Sequence, residues 1–241
     1  MSKPVVIVTG STGGIGEATA KWFAERDYRV VVNSSRSVAA GEALAASLPD
    51  AIYIQQAVGG DADAEGFIAQ VLDHYGQLDV LVNNAGFTHV IAHQDLNAAT
   101  VDIFREIFDV NVFGTWAMSV AAMPALKASG GSIVNVSSIA GLRPTGSSIP
   151  YAASKAALNH LTVLMAKVTG PEVRVNAVAP GLIDTEWTQD WDVIRGFVQQ
   201  IAPLKRSGQP SDVAALIYAL ATTPYITGQV VATDGGLTLA S

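Results

Sequence analysis

The chain contains no cysteine, and this absence removes several kinds of chemistry at once. Without thiols it cannot form disulfides, use a thiolate nucleophile or build a zinc–cysteine site. Basic residues are few as well, because 14 Lys and Arg face 21 Asp and Glu, which gives a formal net charge of −7. The cations are scattered rather than clustered. We therefore expect neither nucleic acid nor an anionic membrane surface as a partner.

Long apolar runs are also missing from the sequence. No uninterrupted apolar stretch reaches the ~18 residues that would cross a bilayer. The apolar run Val5–Val8 is too short for the core of a signal peptide and is better interpreted as a buried strand. We therefore expect a cytoplasmic protein without a membrane segment. The 4 histidines show no metal-ligand spacing, so we also expect no metal site.

Apolar residues, in contrast, are plentiful. They make up 49% of the 241 residues, together with 22 Gly and 10 Pro, which is enough for a large core and many tight turns. Short Val- and Ile-rich runs alternate with longer helical patterns, as is typical of a parallel sheet covered on both faces. We predict a single-domain α/β fold over residues 1–241, a Rossmann-type doubly wound parallel sheet of about seven strands with helices on both faces.

The order of these patterns places the elements along the chain. The predicted strands are Val5–Thr9, Arg29–Asn33, Ile52–Gln55, Val80–Asn83, Ser132–Ser137, Arg174–Ala179 and Val230–Thr233. The predicted helices are Gly14–Arg26, Ala39–Leu48, Ala62–Tyr75, Ala99–Lys127, Tyr151–Thr169 and Ser211–Thr222. A long irregular stretch before the last helix predicts a substrate lid around 182–209, because loops of this length usually bind ligands. Ligands of such sheets gather at the carboxyl ends of the strands.

A glycine-rich turn follows the first predicted strand and reads Thr9-Gly10-Ser11-Thr12-Gly13-Gly14-Ile15-Gly16. Glycines allow a tight turn and a close approach of backbone to ligand, and the next helix directs its N–H groups and positive dipole end at a pyrophosphate. The position between a strand and a helix is the context that a dinucleotide site requires. The expected contacts from this turn are Gly10, Ser11, Thr12, Gly14, Ile15 and Gly16.

The end of the second predicted strand indicates which nicotinamide cofactor fits. An Asp or Glu there would accept hydrogen bonds from the adenosine ribose 2′-OH and repel a 2′-phosphate. This chain has Ser34, Ser35 and Arg36 instead, with no carboxylate before Glu42. The planar guanidinium of arginine binds phosphate well. We therefore predict NADP(H), with NAD(H) as the alternative.

Several motifs now occur in a characteristic order. They are the glycine turn Gly10–Gly16, Asn83-Asn84-Ala85-Gly86, Asn111, Ser137-Ser138, Tyr151-Ala152-Ala153-Ser154-Lys155 and Pro180-Gly181. Over nearly its whole length the chain resembles the short-chain dehydrogenase/reductase family, and in particular its β-ketoacyl reductase-like members. The resemblance implies an NAD(P)-dependent enzyme acting on CH–OH/C=O groups of a small molecule, and assembly as a homotetramer or homodimer.

The chemical centre can be placed on four residues. Tyr151 and Lys155 are i,i+4 on a predicted helix and share one face. The Lys155 ammonium, together with an oxidised nicotinamide ring, is expected to lower the pKa of the phenol. Tyr151 then acts as general acid in reduction and base in oxidation, while Ser138 hydrogen-bonds the substrate oxygen. The resemblance implies that Ser138 rather than Ser137 is catalytic, that Lys155 also holds the nicotinamide ribose, and that Asn111 holds a water in a proton relay.

The resemblance also implies further cofactor contacts. They come from the motif after the fourth strand and from the loop after the sixth, and comprise Asn84, Ala85, Gly86, Pro180, Gly181, Ile183 and Thr185. After the third strand the family usually has an Asp, but this chain has Ala57 there. Val58 is therefore expected in the adenine pocket.

The reaction that these features favour is reversible, NADP(H)-dependent reduction of a ketone to a secondary alcohol. Two alternatives stay open: an NAD(H)-dependent sugar, polyol or secondary-alcohol dehydrogenase, and a non-catalytic dinucleotide sensor, which the complete set of four catalytic residues disfavours. Docking of an acidic carrier protein would need cations at the rim of the site, and the segment interpreted as that rim offers only Lys127. Trp187 and Trp191, in the predicted lid, are candidate substrate walls.

Overall fold

A single parallel sheet organises the computed structural model, which describes residues 2–240. Its strands are β1 (Val5–Val8), β2 (Arg29–Ser34), β3 (Ala51–Gln55), β4 (Val80–Asn83), β5 (Ser132–Val136), β6 (Arg174–Pro180) and β7 (Val230–Thr233). They are hydrogen-bonded in the order β3-β2-β1-β4-β5-β6-β7, and every neighbouring pair is parallel. The predicted seven-stranded doubly wound sheet is confirmed.

Helices connect the strands and cover both faces. They are α1 (Gly14–Ala24), α2 (Val38–Ser47), α3 (Ala64–Tyr75), α4 (Val101–Phe108), α5 (Thr115–Ser129), α6 (Ile149–Thr169), α7 (Asp192–Ile201) and α8 (Pro210–Thr222). Helices α1, α2 and α8 pack on one face of the sheet, and α3, α5 and α6 pack on the other.

The core consists of two apolar layers, one on each side of the sheet. Successive side chains of a strand point to opposite faces, so Val6 and Val8 pack beneath α1 while Val5 and Ile7 face α3 and α5. All four are completely buried. Because both faces are covered, the central strands are apolar at most positions, and this explains why the sequence shows nearly continuous apolar runs rather than alternation.

The predicted continuous helix over 99–127 is wrong in one respect. Helices α4 and α5 are separated by a wider, π-helical turn, Asp109–Gly114. Within that turn the Thr115 hydroxyl donates to the carbonyl of Asn111 (3.1 Å), four residues earlier. Such π turns break the regular hydrogen-bond ladder of a helix and often lie at functional sites. The apolar periodicity runs on through the turn, so it gave no sign of the break.

The predicted lid contains a helix that the sequence analysis missed. Helix α7 lies inside the stretch expected to be irregular, and its apolar residues are Val193, Ile194, Phe197, Val198 and Ile201. Their spacing is that of one helical face and was the available signal. A backbone bridge joins Ile183 to Gly208, so both ends of the lid meet on the body of the protein.

The segment around Lys127 lies far from the expected place. Helix α5 carries the chain back to the amino edge of the sheet, and the turn Gly130–Gly131 leads directly into β5. The carboxyl ends of the strands are at the opposite edge. The interpretation of Lys127 as a residue of the active-site rim is therefore wrong. Among residues 2–240, no helix combines the length and apolarity needed to cross a membrane.

Candidate active site

A crevice of about 1440 Å³ opens at the carboxyl ends of the strands. Its walls come from the turns after β1, β2, β4, β5 and β6 and from the lid. Nearly all the residues predicted for the site line it: Gly10, Thr12, Gly14, Ile15, Gly16, Ser34, Ser35, Arg36, Val58, Asn84, Ala85, Gly86, Ser138, Tyr151, Lys155, Pro180, Gly181, Ile183 and Thr185. Ser11 and Asn111 are the two that do not.

The glycine turn is held from below by a residue that the sequence analysis did not single out. Asn33, at the end of β2, accepts a hydrogen bond from the N–H of Gly10 (3.1 Å) and donates to the carbonyls of Ile54 and Gln56 (3.1 and 3.0 Å). Ser11 is fully buried and turned toward the same residue, because its hydroxyl accepts from the N–H of Asn33 (2.9 Å). Its side chain therefore braces the turn and does not face the crevice.

A second set of hydrogen bonds connects the glycine turn to the motif after β4. The Thr9 hydroxyl accepts from the N–H groups of Asn84 and Ala85 (3.0 Å each), and the Asn84 side chain donates to the carbonyls of Thr9 and Gly10 (2.9 Å each). The packing is so close that a Cβ on Gly16 would overlap the Gly10 carbonyl oxygen and lie 2.6 Å from Asn84 Nδ2. The Asn84 side chain thus stabilises the conformation of the glycine turn.

The end of the crevice beside β2 is polar and positively charged. Ser35 and Arg36 are exposed there together with Ser37, another lining residue that the sequence analysis missed. Ser34 is buried, and its hydroxyl pairs with that of Tyr53 (2.9 Å). Within residues 2–240, the Arg36 guanidinium forms no ion pair. A glycine-walled channel with a free guanidinium at one end fits a phosphorylated dinucleotide.

Lys155 lies at the other end of the crevice, deep below the surface. Only 4% of the residue is exposed, and its ammonium donates to the carbonyl of Val136 (2.8 Å). Burial lowers the pKa of this amine to about 8. An ammonium has three N–H donors, so the group retains capacity for ligand hydroxyls beside the Val136 bond.

Tyr151 is held at the first turn of α6. The Ser148 side chain caps this helix by accepting from the N–H of Tyr151 (3.4 Å). Burial raises the pKa of the phenol to about 12, and only the hydrogen bond with the Ser138 side chain acts in the opposite direction. The Lys155 Nζ lies 5.7 Å from the centre of the Tyr151 ring. Burial is the main influence of the protein's own groups on the pKa of Tyr151, and the lowering expected from Lys155 together with an oxidised nicotinamide ring stays a prediction.

The two neighbouring serines have different surroundings. The Ser137 hydroxyl is buried and hydrogen-bonds to the carbonyl of Lys155 and the side chain of Asn159. The Ser138 hydroxyl accepts from the N–H of Ala140 (3.1 Å) and reaches the Tyr151 hydroxyl. Ser138 is thus the serine beside the phenol.

Asn111 lies just behind the crevice wall, in the π-helical turn. Its side chain accepts from the N–H of Phe87 (2.8 Å) and donates to the Phe87 carbonyl and the Ser154 hydroxyl (3.0 Å each). It therefore joins the loop after β4 to α6. A Cβ on Gly86 would lie 3.5 Å from Asn111 Oδ1 and 3.7 Å from Lys155 Nζ, which places the amide close to the ammonium.

The side of the crevice where the sequence analysis expects adenine is shaped by a loop between β3 and α3. Val58 lines the crevice, and the next residues are fixed by Asp109, whose carboxylate accepts from the N–H of Gly60 (3.0 Å). This carboxylate comes from the π-helical turn and was not expected from the sequence. No carboxylate occupies the position of Ala57, in agreement with the sequence.

The lid closes the crevice over the phenol. The Trp187 ring lies edge-on to the Tyr151 ring, with centroids 6.4 Å apart, and half of the residue is exposed. Trp191 and the apolar Val193 and Ile194 of α7 also line the crevice. Among residues 2–240, no group of acidic or histidine side chains is arranged to hold a metal ion.

Comparisons with known proteins give a consistent picture. Residues 10–238 match a family model described as enoyl-(acyl carrier protein) reductase. The chain is 55% identical over 237 residues to the granaticin polyketide synthase putative ketoacyl reductase 2 of Streptomyces violaceoruber, covering 97% of this chain and 95% of that protein.

Solved structures agree with this at the level of the fold. A putative short-chain dehydrogenase/reductase from Burkholderia xenovorans superposes with a TM-score of 0.92 at 37% identity, covering 99% of both chains. The structure of ElxO with NADP bound superposes with a TM-score of 0.89 at 31% identity, covering 98% of this chain and 99% of the other.

Proposed function

Because the chain belongs to the short-chain dehydrogenase/reductase family, we propose that it is an NADP(H)-dependent reductase that converts a ketone to a secondary alcohol, with Tyr151 as the proton donor. The observation that carries the proposal is the geometry of the site: the Tyr151 hydroxyl lies beside the Ser138 side chain in the crevice, next to the buried Lys155 ammonium. A neutral phenol at pH 7 is the form that ketone reduction consumes. The reverse oxidation would need the phenolate.

The four catalytic positions have distinct roles in this proposal. The nicotinamide supplies the hydride. Tyr151 gives its hydroxyl proton to the ketone oxygen as negative charge develops there, and the Ser138 hydroxyl stabilises that charge by a hydrogen bond. Lys155 holds the ribose hydroxyls with its free N–H donors, and Asn111 fixes the loop after β4 beside the ammonium. A water held at Asn111 would return a proton toward Lys155.

Arg36 is the basis for assigning NADP(H). Its guanidinium has no carboxylate partner in the described part of the chain, and two exposed hydroxyls, of Ser35 and Ser37, flank it. A 2′-phosphate would satisfy all three groups, whereas a ribose 2′-OH would find no carboxylate acceptor in the Asn33-Ser34-Ser35-Arg36 segment. The ElxO structure with NADP bound supports the assignment through its similarity to this chain.

The substrate end of the crevice favours a bulky, uncharged ketone. Its walls include Trp187, Trp191 and Phe87 together with apolar residues of α7. Among residues 2–240, the charged residues that line the lid side of the crevice are Glu186 and Asp190, which are both acidic. Carboxylates at this mouth disfavour anionic substrates such as coenzyme A thioesters.

Assembly into a homodimer or homotetramer is part of the same proposal. Apolar side chains lie exposed on two neighbouring surfaces of the chain, the π-helical turn with α5 and the outer face of α6: Phe113, Trp116, Val120, Val163, Leu164 and Val168. Contiguous exposed apolar side chains of this kind are typical of subunit interfaces. Sedimentation of the purified protein measures the number of subunits.

Replacing Tyr151 with Phe tests the proposed chemistry. The change removes only the hydroxyl, so NADPH affinity is expected to stay within about twofold while kcat for a bicyclic ketone such as 2-tetralone falls about 10²–10⁴-fold, the usual contribution of a positioned general acid. The matched control is Tyr53→Phe, which also removes one hydroxyl near the crevice. Full activity of the Tyr151 variant would overturn the proposal.

A further inference from the structure

Arg195 of α7 bonds to three different parts of the lid. Its Nε donates to Asp184 (2.8 Å), its Nη2 to the carbonyl of Thr188 (3.1 Å), and its Nη1 to Asp192 (2.7 Å). The side chain is only 21% exposed. A guanidinium presents its donors in one rigid plane, so these three contacts fix the relative positions of the segments that they join.

One of these segments is the short helical turn that carries Trp187. It spans Glu186–Thr188, and the Thr188 hydroxyl donates to the carbonyl of Ile183 (2.6 Å). Its single turn is too short to be stable without outside contacts. Arg195 supplies such a contact at its last carbonyl. Trp187 is the residue directly before that carbonyl, and its ring is the part of the lid that lies over Tyr151.

The other end of the contact is anchored at the base of the lid, where the chain returns to the body of the protein. Besides Arg195, the Asp184 carboxylate accepts from the Ser207 hydroxyl (2.7 Å) and the Gln209 side chain (2.9 Å). Burial acts to raise the pKa of Asp184, but the hydrogen bonds from Arg195 and Ser207 outweigh it and hold the pKa below its usual value. Asp184 is therefore a carboxylate at neutral pH, tied to the residue that precedes α8.

We propose that Arg195 is a positioning residue that holds Trp187 over Tyr151 and thereby sets the preference for bulky over small ketones. The inference rests on the proposed reductase function, because the preference is measured on ketones. Its chemical basis is separate: a guanidinium bridges an anchored carboxylate and the turn that carries the indole ring. Arg195 does not line the crevice, so it acts on substrate through residues that do, and Trp187 is the one of these whose ring lies against Tyr151.

A double-mutant cycle measures whether Arg195 affects substrate preference through Trp187. The quantity is the ratio of kcat/KM for 2-tetralone to that for butanone, taken with saturating NADPH. Arg195→Gln is expected to lower this ratio about five- to tenfold, which lies within the range of coupling seen between contacting residues, mainly through KM for 2-tetralone. In a Trp187→Ala background the same change is expected to lower the ratio less than about twofold. Additive losses would overturn the proposal, because Arg195 would then act by another route.

The matched control is Arg206→Gln. Arg206 lies in the same lid and pairs with Asp212 through two hydrogen bonds (2.7 and 3.2 Å), and within residues 2–240 it forms no hydrogen bond with the turn of Trp187. Its loss is expected to leave the ratio unchanged. Arg195→Lys, which keeps the charge but not the planar fork, is expected to restore only part of it. An equal fall of the ratio in Arg206→Gln would overturn the proposal.

Hydrogen exchange provides a readout that does not depend on turnover. The N–H groups of Thr188 and Trp191 donate within the turn to Thr185 and Thr188, so Arg195→Gln is expected to speed their exchange while Arg206→Gln does not. If exchange accelerates in Arg195→Gln but the wild-type protein reduces no ketone, the positioning role of Arg195 stands and the proposed reductase function fails. If exchange is unchanged in Arg195→Gln, the positioning role of Arg195 itself is refuted.

Discussion

Replacing Lys155 with methionine is expected to make the protein more stable while removing the ammonium that is proposed to hold the nicotinamide ribose. Burial lowers the pKa of Lys155 from 10.5 to about 8. At 1.36 kcal/mol per unit, keeping the amine charged at pH 7 costs the folded state ~3 kcal/mol. Methionine has a similar length and no charge, but it cannot donate to the Val136 carbonyl, and that lost hydrogen bond costs about 1 kcal/mol. The expected net gain is about 2 kcal/mol.

The effect has a defined pH dependence. Below pH 8 the amine is protonated in both the folded and the unfolded chain, so the full cost is present. Between pH 8 and 10.5 the folded protein releases the proton while the unfolded chain keeps it. The unfolded state then binds more protons, so the free energy of unfolding of the wild type rises with pH through this window. The advantage of the methionine variant is expected to shrink by about 2 kcal/mol between pH 7 and 9.5.

Urea unfolding of both proteins at pH 7 and 9.5 measures these differences, because other titrating groups are common to both and cancel. At pH 7 the gain corresponds to a rise in Tm of about 4–8 °C for a chain of this size. Lys127→Met, at an exposed position, is the control and is expected to change stability by less than about 0.5 kcal/mol. A Lys155 variant that is less stable at pH 7, or whose difference from wild type is equal at both pH values, would refute the reasoning.

Two further predictions concern the cofactor channel. Gly16→Ala is expected to weaken NADPH binding about ten- to hundredfold, since overpacking of this turn costs ~1–3 kcal/mol. The control is Gly13→Ala, because a Cβ at Gly13 would have no atom within 4 Å. Equal NADPH titration curves for the two variants would contradict this expectation. Arg36→Ala is expected to raise the Kd of NADPH about tenfold or more and leave that of NADH nearly unchanged, because only the 2′-phosphate is lost as a partner. Arg105→Ala serves as its control, and parallel losses for both cofactors would show that Arg36 does not read the phosphate.

Much of the fold could be predicted from the sequence because the parallel sheet leaves a strong local signal. The runs Val80–Asn83 and Val230–Thr233 match the observed strands β4 and β7 at both ends. The site residues could be placed for a related reason: the ends of parallel strands meet at one edge, so motifs far apart in the chain come together there.

The parts that sequence reasoning missed depend on contacts between distant segments. The π-helical turn is coupled to the loop after β4, through the bonds of Asn111 with Phe87. Helix α7 leaves Val193, Ile194 and Phe197 exposed, so its helical apolar pattern does not correspond to a buried core face. It also lies between β6 and α8, in a segment predicted to be irregular. The pKa of Tyr151 depends on burial, which spacing along the chain does not reveal.

The closed base of the lid has a consequence for changes in the length of the lid sequence. The N–H of Asp184 donates to the Gly208 carbonyl (2.9 Å) and the N–H of Gly208 to the Leu182 carbonyl (2.8 Å), so the chain leaves and re-enters the body at one point. Doubling the length of a segment closed in this way adds only about 0.6 kcal/mol of closure entropy. Residues 186–206 are thus a segment in which insertions are expected to alter the substrate end of the crevice while the sheet and the glycine turn keep their places.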